Sequence, residues 1–594
     1  MKVNKLLADF HRWRLRNLKE STFILILASI VGILAGFIAL TLKVSVFYLR
    51  NLSVNQIIGN DRAKLVLLLL FPTLGIGLTL IFKHFIIKDK VKHNISSILE
   101  AISKKNSIMR AHKVFSSMLG GILTAGFGGS VGVESPIISS GAAIGSNLGR
   151  IFHFNYKTIT LLLACGSAGA IAAIFNTPIA GVVFALEVLL LDLSRFSLIP
   201  LLIASVSGTI ITTVFYPEAI LFDFQIKESF KVSFLPFYLS FAFLCGIVSH
   251  YFSFTYIKIE RKLESISNPY KRFLIGSIGF GILLLIFPPL WGEGFSTIKA
   301  LLSENHYSVL DMTLYSQYSD NLIVIFLVFV LLILLKVVST ALTVGAGGIG
   351  GIFAPSLFTG ALTGYLFAHF INTLDVGIHL SQVNFAMIGM AGVLSGVLHA
   401  PLTGLFLIAE ITFGYELIVP LMIVTTISFI TAKYFNKNSI VTAQLAERGQ
   451  LITHNKDQAV LTMMKLKSVI ETDFLSISVD ANLGDLVKIV SKSKRNLFPV
   501  TDNEGFLAGI ILLDDIREIM FDQQMYHKEL VRNLMTSPPA FIKMEDNMEQ
   551  VMQKFNNSKA WNLPVIEKGK YVGFVSKSKM FNVYRQQLVE ISAE

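Results

Sequence analysis

Gly126–Gly145 reads GFGGSVGVESPIISSGAAIG, and Gly345–Gly364 reads GAGGIGGIFAPSLFTGALTG. At a constant offset of 219, Gly126, Gly128, Gly129, Gly132, Pro136, Gly141 and Gly145 fall on Gly345, Gly347, Gly348, Gly351, Pro355, Gly360 and Gly364. A second pair follows. Asn176–Glu187 (NTPIAGVVFALE) matches His399–Glu410 (HAPLTGLFLIAE), with Pro178, Gly181 and Glu187 on Pro401, Gly404 and Glu410. Agreement at so many fixed positions identifies a duplicated unit.

The chain around these blocks is too apolar for an ordinary soluble protein. Of its 594 residues 53% are hydrophobic and only 15% charged, with a mean hydropathy of +0.63; soluble domains carry about a quarter charged residues. Phe23–Leu42, Lys64–Phe82, Phe196–Phe215, Phe237–Phe254, Phe273–Leu290 and Leu322–Val338 are each long enough to cross ~30 Å of hydrocarbon. From about Ser439 onward Lys, Asp, Glu and Asn become frequent. The expected organisation is a cytosolic amphipathic segment (1–21), a membrane domain (22–449, with repeats over about 22–216 and 236–435), a linker (450–467) and a soluble tail (468–594).

Arg12, Arg14, Arg16 and Lys19 precede the first apolar run. By the positive-inside rule they place the N-terminus in the cytosol, and Trp13 among them suggests a short helix on the inner surface. The net charge of +12 is accounted for by loops facing the membrane and cytosol, so no nucleic-acid partner is called for. Two cysteines inside apolar runs, Cys165 and Cys245, support neither a disulfide framework nor a metal site.

Duplicated membrane folds place their ion site between the repeats, near mid-membrane, on broken helices. Glycine runs ending in Pro136 and Pro355 predict non-helical backbone leading into a helix start, where proline is tolerated. Such backbone survives at membrane depth only when it lines a cavity or is buried in protein. Two helix starts aimed at one point offer unpaired N–H groups and partial positive charge to an anion. The later glycines, Gly141-x-x-x-Gly145 and Gly360-x-x-x-Gly364, read as close-packing helix faces. Gly345-x-Gly347-x-x-Gly350 spells a dinucleotide fingerprint, but without a preceding strand that reading fails.

Glu134 breaks the symmetry, because its repeat partner is Phe353. An acid inside a membrane domain is expensive and functional by default. Ionised, it would mimic an anion and block the site; protonated, it could swing away. Glu187 and Glu410 occupy equivalent positions, which argues for a shared structural job such as satisfying the amides of a broken helix. Glu293, in the Trp291-Gly-Glu-Gly294 turn, reads as loop chemistry. Lys336 reads as snorkelling or pairing.

Over roughly Phe23–Gly449 these residues resemble the CLC family of chloride channels and chloride/proton antiporters. Gly350-Gly-Ile-Phe-Ala-Pro-Ser-Leu357 is similar to that family's GGxFxPxL element, which implies that backbone at Gly351, Ile352 and Phe353, next to Pro355, binds the central anion. Gly132-Val-Glu-Ser-Pro136 resembles G(K/R)EGP and makes Glu134 the gating glutamate, with Val133 and Ser135 as departures. The family's GSGIP loop falls near Lys92-His-Asn-Ile-Ser96, putting His93 at or near its anion-contacting serine. The inner-gate tyrosine maps onto Val441, and the antiporters' internal proton acceptor onto Val188. Valine at that last position resembles the channel branch. The resemblance implies an all-α membrane domain of inverted repeats with broken, re-entrant helices, working as a homodimer in the cell membrane with both termini cytosolic.

The tail repeats too. Asn496-Leu-Phe-Pro-Val500 matches Asn562-Leu-Pro-Val565, and Gly509-Ile-Ile matches Gly573-Phe-Val, about 65 residues apart. The two units, about 468–525 and 531–588, resemble a tandem pair of CBS domains, an α/β module that often binds adenine nucleotides. That family's ribose-holding Ser/Thr-x-x-Asp is incomplete in both units: Asp515 follows Leu512, and Ser576 precedes Lys579.

The leading expectation is a chloride channel, sensitive to voltage or pH, gated by Glu134 and requiring no cofactor. Chloride/proton exchange by another proton route, or transport of fluoride or nitrate, is the alternative. A CBS-regulated cation transporter needs clustered carboxylates or carbonyl cages, and one isolated acid does not supply them. An intramembrane enzyme would need a His-Glu-x-x-His or a nucleophile–base pair, and neither stands out.

Overall fold

The structure is a computed structural model that describes residues 14, 16–57, 62–87, 94–189, 195–216, 230–303, 309, 321–374, 377–412, 415–447, 464 and 466–592. The chain forms two compact units, Met1–Gly449 and Gln450–Glu594. In the first unit, eight helices among the described residues are long and apolar enough to cross a membrane.

Each repeat contains a matching run of five helices. The first comprises α4 (Lys113–Gly126), α5 (Glu134–Ile151), α6 (Tyr156–Phe175), α7 (Pro178–Val188) and α8 (Arg195–Phe215). They follow α1 (Glu20–Ile57), α2 (Arg62–Ile81) and α3 (Ile95–Lys104). After α9 (Leu235–Glu264), α10 (Pro269–Ile286) and α11 (Phe295–Leu302), the pattern recurs as α12 (Leu322–Gly345), α13 (Phe353–Thr373), α14 (Gln382–Leu398), α15 (Pro401–Ile411) and α16 (Ile418–Phe435), with a short α17 (Ile440–Glu447) behind it. The correspondence reaches single dihedrals. Helix α6 ends on Asn176 (φ 58°, ψ 38°) and α14 on His399 (φ 58°, ψ 41°), both left-handed. A proline then opens the next helix in each copy, Pro178 in α7 and Pro401 in α15. At 11 residues, each of these spans only about 16 Å and ends inside the unit.

The glycines divide into two classes. A Cβ on Gly141 would stand 2.2 Å from the Gly166 carbonyl oxygen, and one on Gly145 1.9 Å from that of Leu162. Gly360 and Gly364 meet Gly389 and Phe385 of α14 in the same way, at 2.3 and 1.9 Å. These four let α5 lie on α6 and α13 on α14, as expected for small residues at helix contacts in membranes. The upstream glycines shape loops. Gly128 (φ +93°) and Gly347 (φ +115°) turn the chain where a side chain would be strained. Past these turns the two loops cross. Gly132 N–H donates to Gly351 O at 2.9 Å, and Gly351 N–H returns the bond to Gly132 O at 2.7 Å.

The second unit holds two small sheets, of order β1-β7-β6-β5 and β2-β3-β4. Strands β2 (Ile477–Ser478), β3 (Leu497–Thr501) and β4 (Leu507–Leu512) surround α18 (Leu483–Lys492). Strands β5 (Ile542–Lys543), β6 (Asn562–Glu567) and β7 (Lys570–Ser576) do the same for α19 (Met548–Ser558), and α20 (Lys577–Ser592) follows. Each sheet pairs one parallel and one antiparallel neighbour in the same sequence order. The short β1 (Ile470–Glu471) belongs by sequence to the first unit of this repeat but pairs with β7 of the second. Separate cores around Leu486 and Phe498, and around Val551 and Leu563, are joined through Phe474, Leu497, Ile510 and Phe574.

Candidate functional site

The crossing loops deliver two helix starts to one place. Helix α5 begins at Glu134 and α13 at Phe353, preceded by Val133 (φ −85°, ψ −7°) and Ile352 (φ −92°, ψ −3°). Neither preceding residue caps its helix with a side chain. Pro136 and Pro355 stand in the first turns, where the missing N–H costs no helical bond. The amides of Ile352, Phe353 and Ala354 therefore open α13 without intrahelical acceptors. Phe353 is buried and its ring stacks on Phe175, with centroids 5.4 Å apart. Ser135 closes the other side: a Cβ on Gly351 would lie 2.3 Å from its hydroxyl.

Glu134 reaches across this place. It is wholly buried, and its Oε2 lies where a side chain on Gly132 would be, 2.0 Å from that Cβ position. The carboxylate faces its own backbone amide and that of Ala354, yet neither oxygen closes a hydrogen bond. The acid thus lies over the N-terminus of α13, the place the sequence assigned to an anion.

The other two broken-helix starts are treated differently. Glu410 at the end of α15 accepts from Ile179 N–H at 3.0 Å and Ala180 N–H at 2.7 Å, in the first turn of α7. Glu187 at the end of α7 accepts from Leu402 N–H (3.1 Å), Thr403 N–H (2.7 Å) and the Thr403 hydroxyl (2.8 Å), in the first turn of α15. The two acids hold each other's helices across the repeat axis. Val188, next to Glu187, is buried.

His93 lies outside the described residues. Just after it, α3 starts at Ile95, with Asn94 capping Ser97 N–H at 3.2 Å. The Ser96 hydroxyl donates to the Val441 carbonyl at 2.7 Å, and Lys113 Nζ donates to the Ser97 hydroxyl at 3.1 Å. Val441 is buried, so its backbone, tied to α3, is what this position contributes. Sequence reading passed over Ser96 and Lys113; the Asn-Ile-Ser-Ser cap pattern was the available signal. Of the N-terminal basic residues, Arg14 is buried, its guanidinium 4.6 Å from the Phe23 ring and 5.0 Å from that of Phe154.

Of the two charges set aside in the sequence, Glu293 acts on Glu134 and Lys336 acts on Glu293. Lys336 is wholly buried, donating to Gly292 O at 2.8 Å and Leu290 O at 3.3 Å, 4.7 Å from the Phe358 ring. Its role is pairing, with carbonyls and a ring. Glu293 is more than a loop residue: its carboxylate faces the Val133 amide and feels the charges of Arg50, Lys43 and Lys336.

In the tail, Ser576 is already engaged. Its hydroxyl donates to Glu471 at 2.6 Å and accepts from Lys579 N–H at 3.1 Å. Glu471 and Asp473 are both held by Arg495, at 2.9 and 2.8 Å. Asp515 is exposed on the short helix Leu513–Ile516.

Comparison with known proteins gives a consistent picture. The family described as Voltage gated chloride channel matches residues 74–433. CBS domains match residues 466–522 and 531–585. A relative from Vibrio parahaemolyticus, named H(+)/Cl(-) exchange transporter ClcA, is 29% identical over 438 residues, covering 72% of this chain and 89% of its own. One from Arabidopsis thaliana, named Chloride channel protein CLC-f, is 26% identical over 494 residues, covering 72% and 61%. Among solved structures, a slow cyanobacterial Cl-/H+ antiporter superposes with a TM-score of 0.62 at 23% identity, covering 73% of this chain and 99% of that one. A eukaryotic CLC transporter superposes with a TM-score of 0.60 at 17% identity, covering 94% and 97%.

Proposed function

Because this chain belongs to the voltage-gated chloride channel (CLC) family and ends in a tandem pair of CBS domains, we propose that it carries chloride across its membrane past the start of α13, with Glu134 as the gate. It is a multi-pass membrane protein and no enzyme. The observation that carries the reading is the buried carboxylate of Glu134 lying over the Ala354 amide, among helix N-termini that no side chain caps. An ionised acid there holds the anion's place, and protonation releases it. Gly351, Ile352 and Phe353 supply the backbone of the site, with Gly132, Val133, Ser135, Pro136 and Pro355 shaping it.

Passive conduction is the first reading, since Val188 and Val441 stand where a proton acceptor and a hydroxyl would serve a coupled exchanger. Proton-coupled exchange is the second, favoured by the 29% identity to a protein named as an H(+)/Cl(-) exchanger. We assign the protein to the cell membrane as a homodimer with cytosolic termini and a regulatory tail. An adenine nucleotide on that tail would have to compete with Glu471 at Ser576.

The protein in liposomes decides between the two readings. Under an imposed chloride gradient, chloride efflux without proton movement is expected for conduction. Protons driven uphill by chloride establish exchange instead, and absence of chloride flux overturns both.

A further inference from the structure

Glu293 differs from every other acid in the membrane unit that has a clear task. Glu187 and Glu410 spend their oxygens on helix amides. Glu293 Oε1 is shut off from solvent and has no hydrogen-bond partner. An acid inside a membrane domain is costly unless it is paired or used, so its position calls for a reason.

The surrounding structure fixes that position firmly. Gly292 N–H donates to Gly128 O at 3.0 Å, tying the Trp291–Gly294 turn to the loop that leads into α5. Trp291 fills the space over Gly128, where a Cβ would come within 2.3 Å of the indole. Gly294 (φ +92°) seats the turn's other end on Phe358 of α13, with its Cβ position 2.4 Å from that ring. Lys336 holds the Gly292 and Leu290 carbonyls from α12. The turn is clamped between the first site loop, α12 and α13, and the clamp aims Glu293 at the amide of Val133, one residue before Glu134. The charged groups facing it are Lys43 and Arg50 from α1, Lys336 from α12, and Glu134 from α5.

We propose that Glu293 is a positioning residue for the gate: its charge acts on Glu134 from the adjoining turn and sets the pH at which Glu134 releases the anion's place. The inference rests on the gating role of Glu134. Two like charges in a poorly solvated site disfavour joint ionisation, so an ionised Glu293 helps Glu134 take up a proton. Lys336 acts on Glu293 itself and favours its charged form. Weakening the charge on Glu293, directly or through Lys336, thus moves the opening pH in one direction, a signature that mere structural support would not produce.

Chloride efflux from proteoliposomes, recorded as a function of pH, tests this. Glu293→Gln is expected to move the midpoint of acid activation by about 1 pH unit toward acid. Lys336→Met, which takes away a cation that keeps Glu293 charged, is expected to move it less far in the same direction, and Glu293→Asp, which keeps the charge, to leave it near the native value. Should Glu293→Gln fail to assemble, Lys336→Met and Glu293→Asp still carry the test. Midpoints that stay in place, or that move in opposite directions in Glu293→Gln and Lys336→Met, overturn the proposal. Glu134→Gln run alongside separates the two ideas. Flat pH dependence in that variant with an unmoved midpoint in Glu293→Gln sinks the positioning role alone, whereas retained acid activation in Glu134→Gln sinks the gate and the positioning role together.

Discussion

The membrane unit has two pairs of broken-helix starts, and it treats them in opposite ways. The starts of α7 and α15 each receive a carboxylate from the other repeat, Glu410 and Glu187. The starts of α5 and α13 receive no side-chain cap, and one of the two carries Glu134 with its oxygens unbonded. A helix N-terminus at membrane depth presents unpaired donors and partial positive charge, so something anionic must answer it. Where the protein supplies the acid in both copies and bonds it fully, the result is a strut. Where it supplies one acid for two starts and leaves it unbonded, the place can be shared with a mobile anion.

The largest effect should come from removing a strut. Glu410→Ala strips two charge-assisted hydrogen bonds from the first-turn amides of Ile179 and Ala180, each worth about 1.5 kcal/mol. A loss of about 3 kcal/mol is expected, read as a lower melting temperature in detergent and a poorer yield of monodisperse protein. Glu187→Ala should cost at least as much, since Thr403 gives it a third bond. If either variant is as stable as the native chain while flux or its pH response changes, the strut assignment breaks.

Glu134→Gln should do the reverse. With no hydrogen bond to lose, stability is expected to stay near native, while chloride flux persists and its dependence on pH disappears. A variant that melts early but keeps normal acid activation would make Glu134 a strut like the others.

Much of this contrast was legible in the sequence. Glu187 and Glu410 recur at equivalent positions and Glu134 does not, which already separates a shared task from a singular one. Gly141, Gly145, Gly360 and Gly364 read as packing residues, and their Cβ positions meet backbone oxygens. What the chain could not disclose was long-range pairing. No spacing rule links Ser96 to Val441, 345 residues away, because α3 and α17 meet only in three dimensions. Glu293 reads as loop chemistry for the same reason: the Gly-Glu-Gly turn shows its place beside Val133, Gly128 and Lys336 only in three dimensions. The duplicated element announces itself by repetition, whereas a cluster assembled from α1, α5, α12 and one turn has no local signature.

The tail offers the same device outside the membrane, where its effect should be smallest. Glu471 accepts from Ser576, the residue ahead of α20, so a carboxylate again stands at a helix start, here with Arg495 and Asp473 beside it. The Arg495 guanidinium holds the Asp473 carboxyl below the usual carboxylate range. A lowered native value means the folded tail binds fewer protons than the unfolded one in mild acid. The stabilisation is therefore complete above the ordinary aspartate value of about 3.9 and drains away as pH falls through the lowered one. Because Asp473 is largely exposed, water and salt screen the pair, and no more than about 1 kcal/mol is at stake. Asp473→Asn should slightly speed hydrogen exchange at the β7 amides at neutral pH and remove part of the acid sensitivity seen there in the native chain. A change as large as that of Glu410→Ala would mean that the tail depends on its acid as the membrane helices do, and that low solvation is not what separates the two.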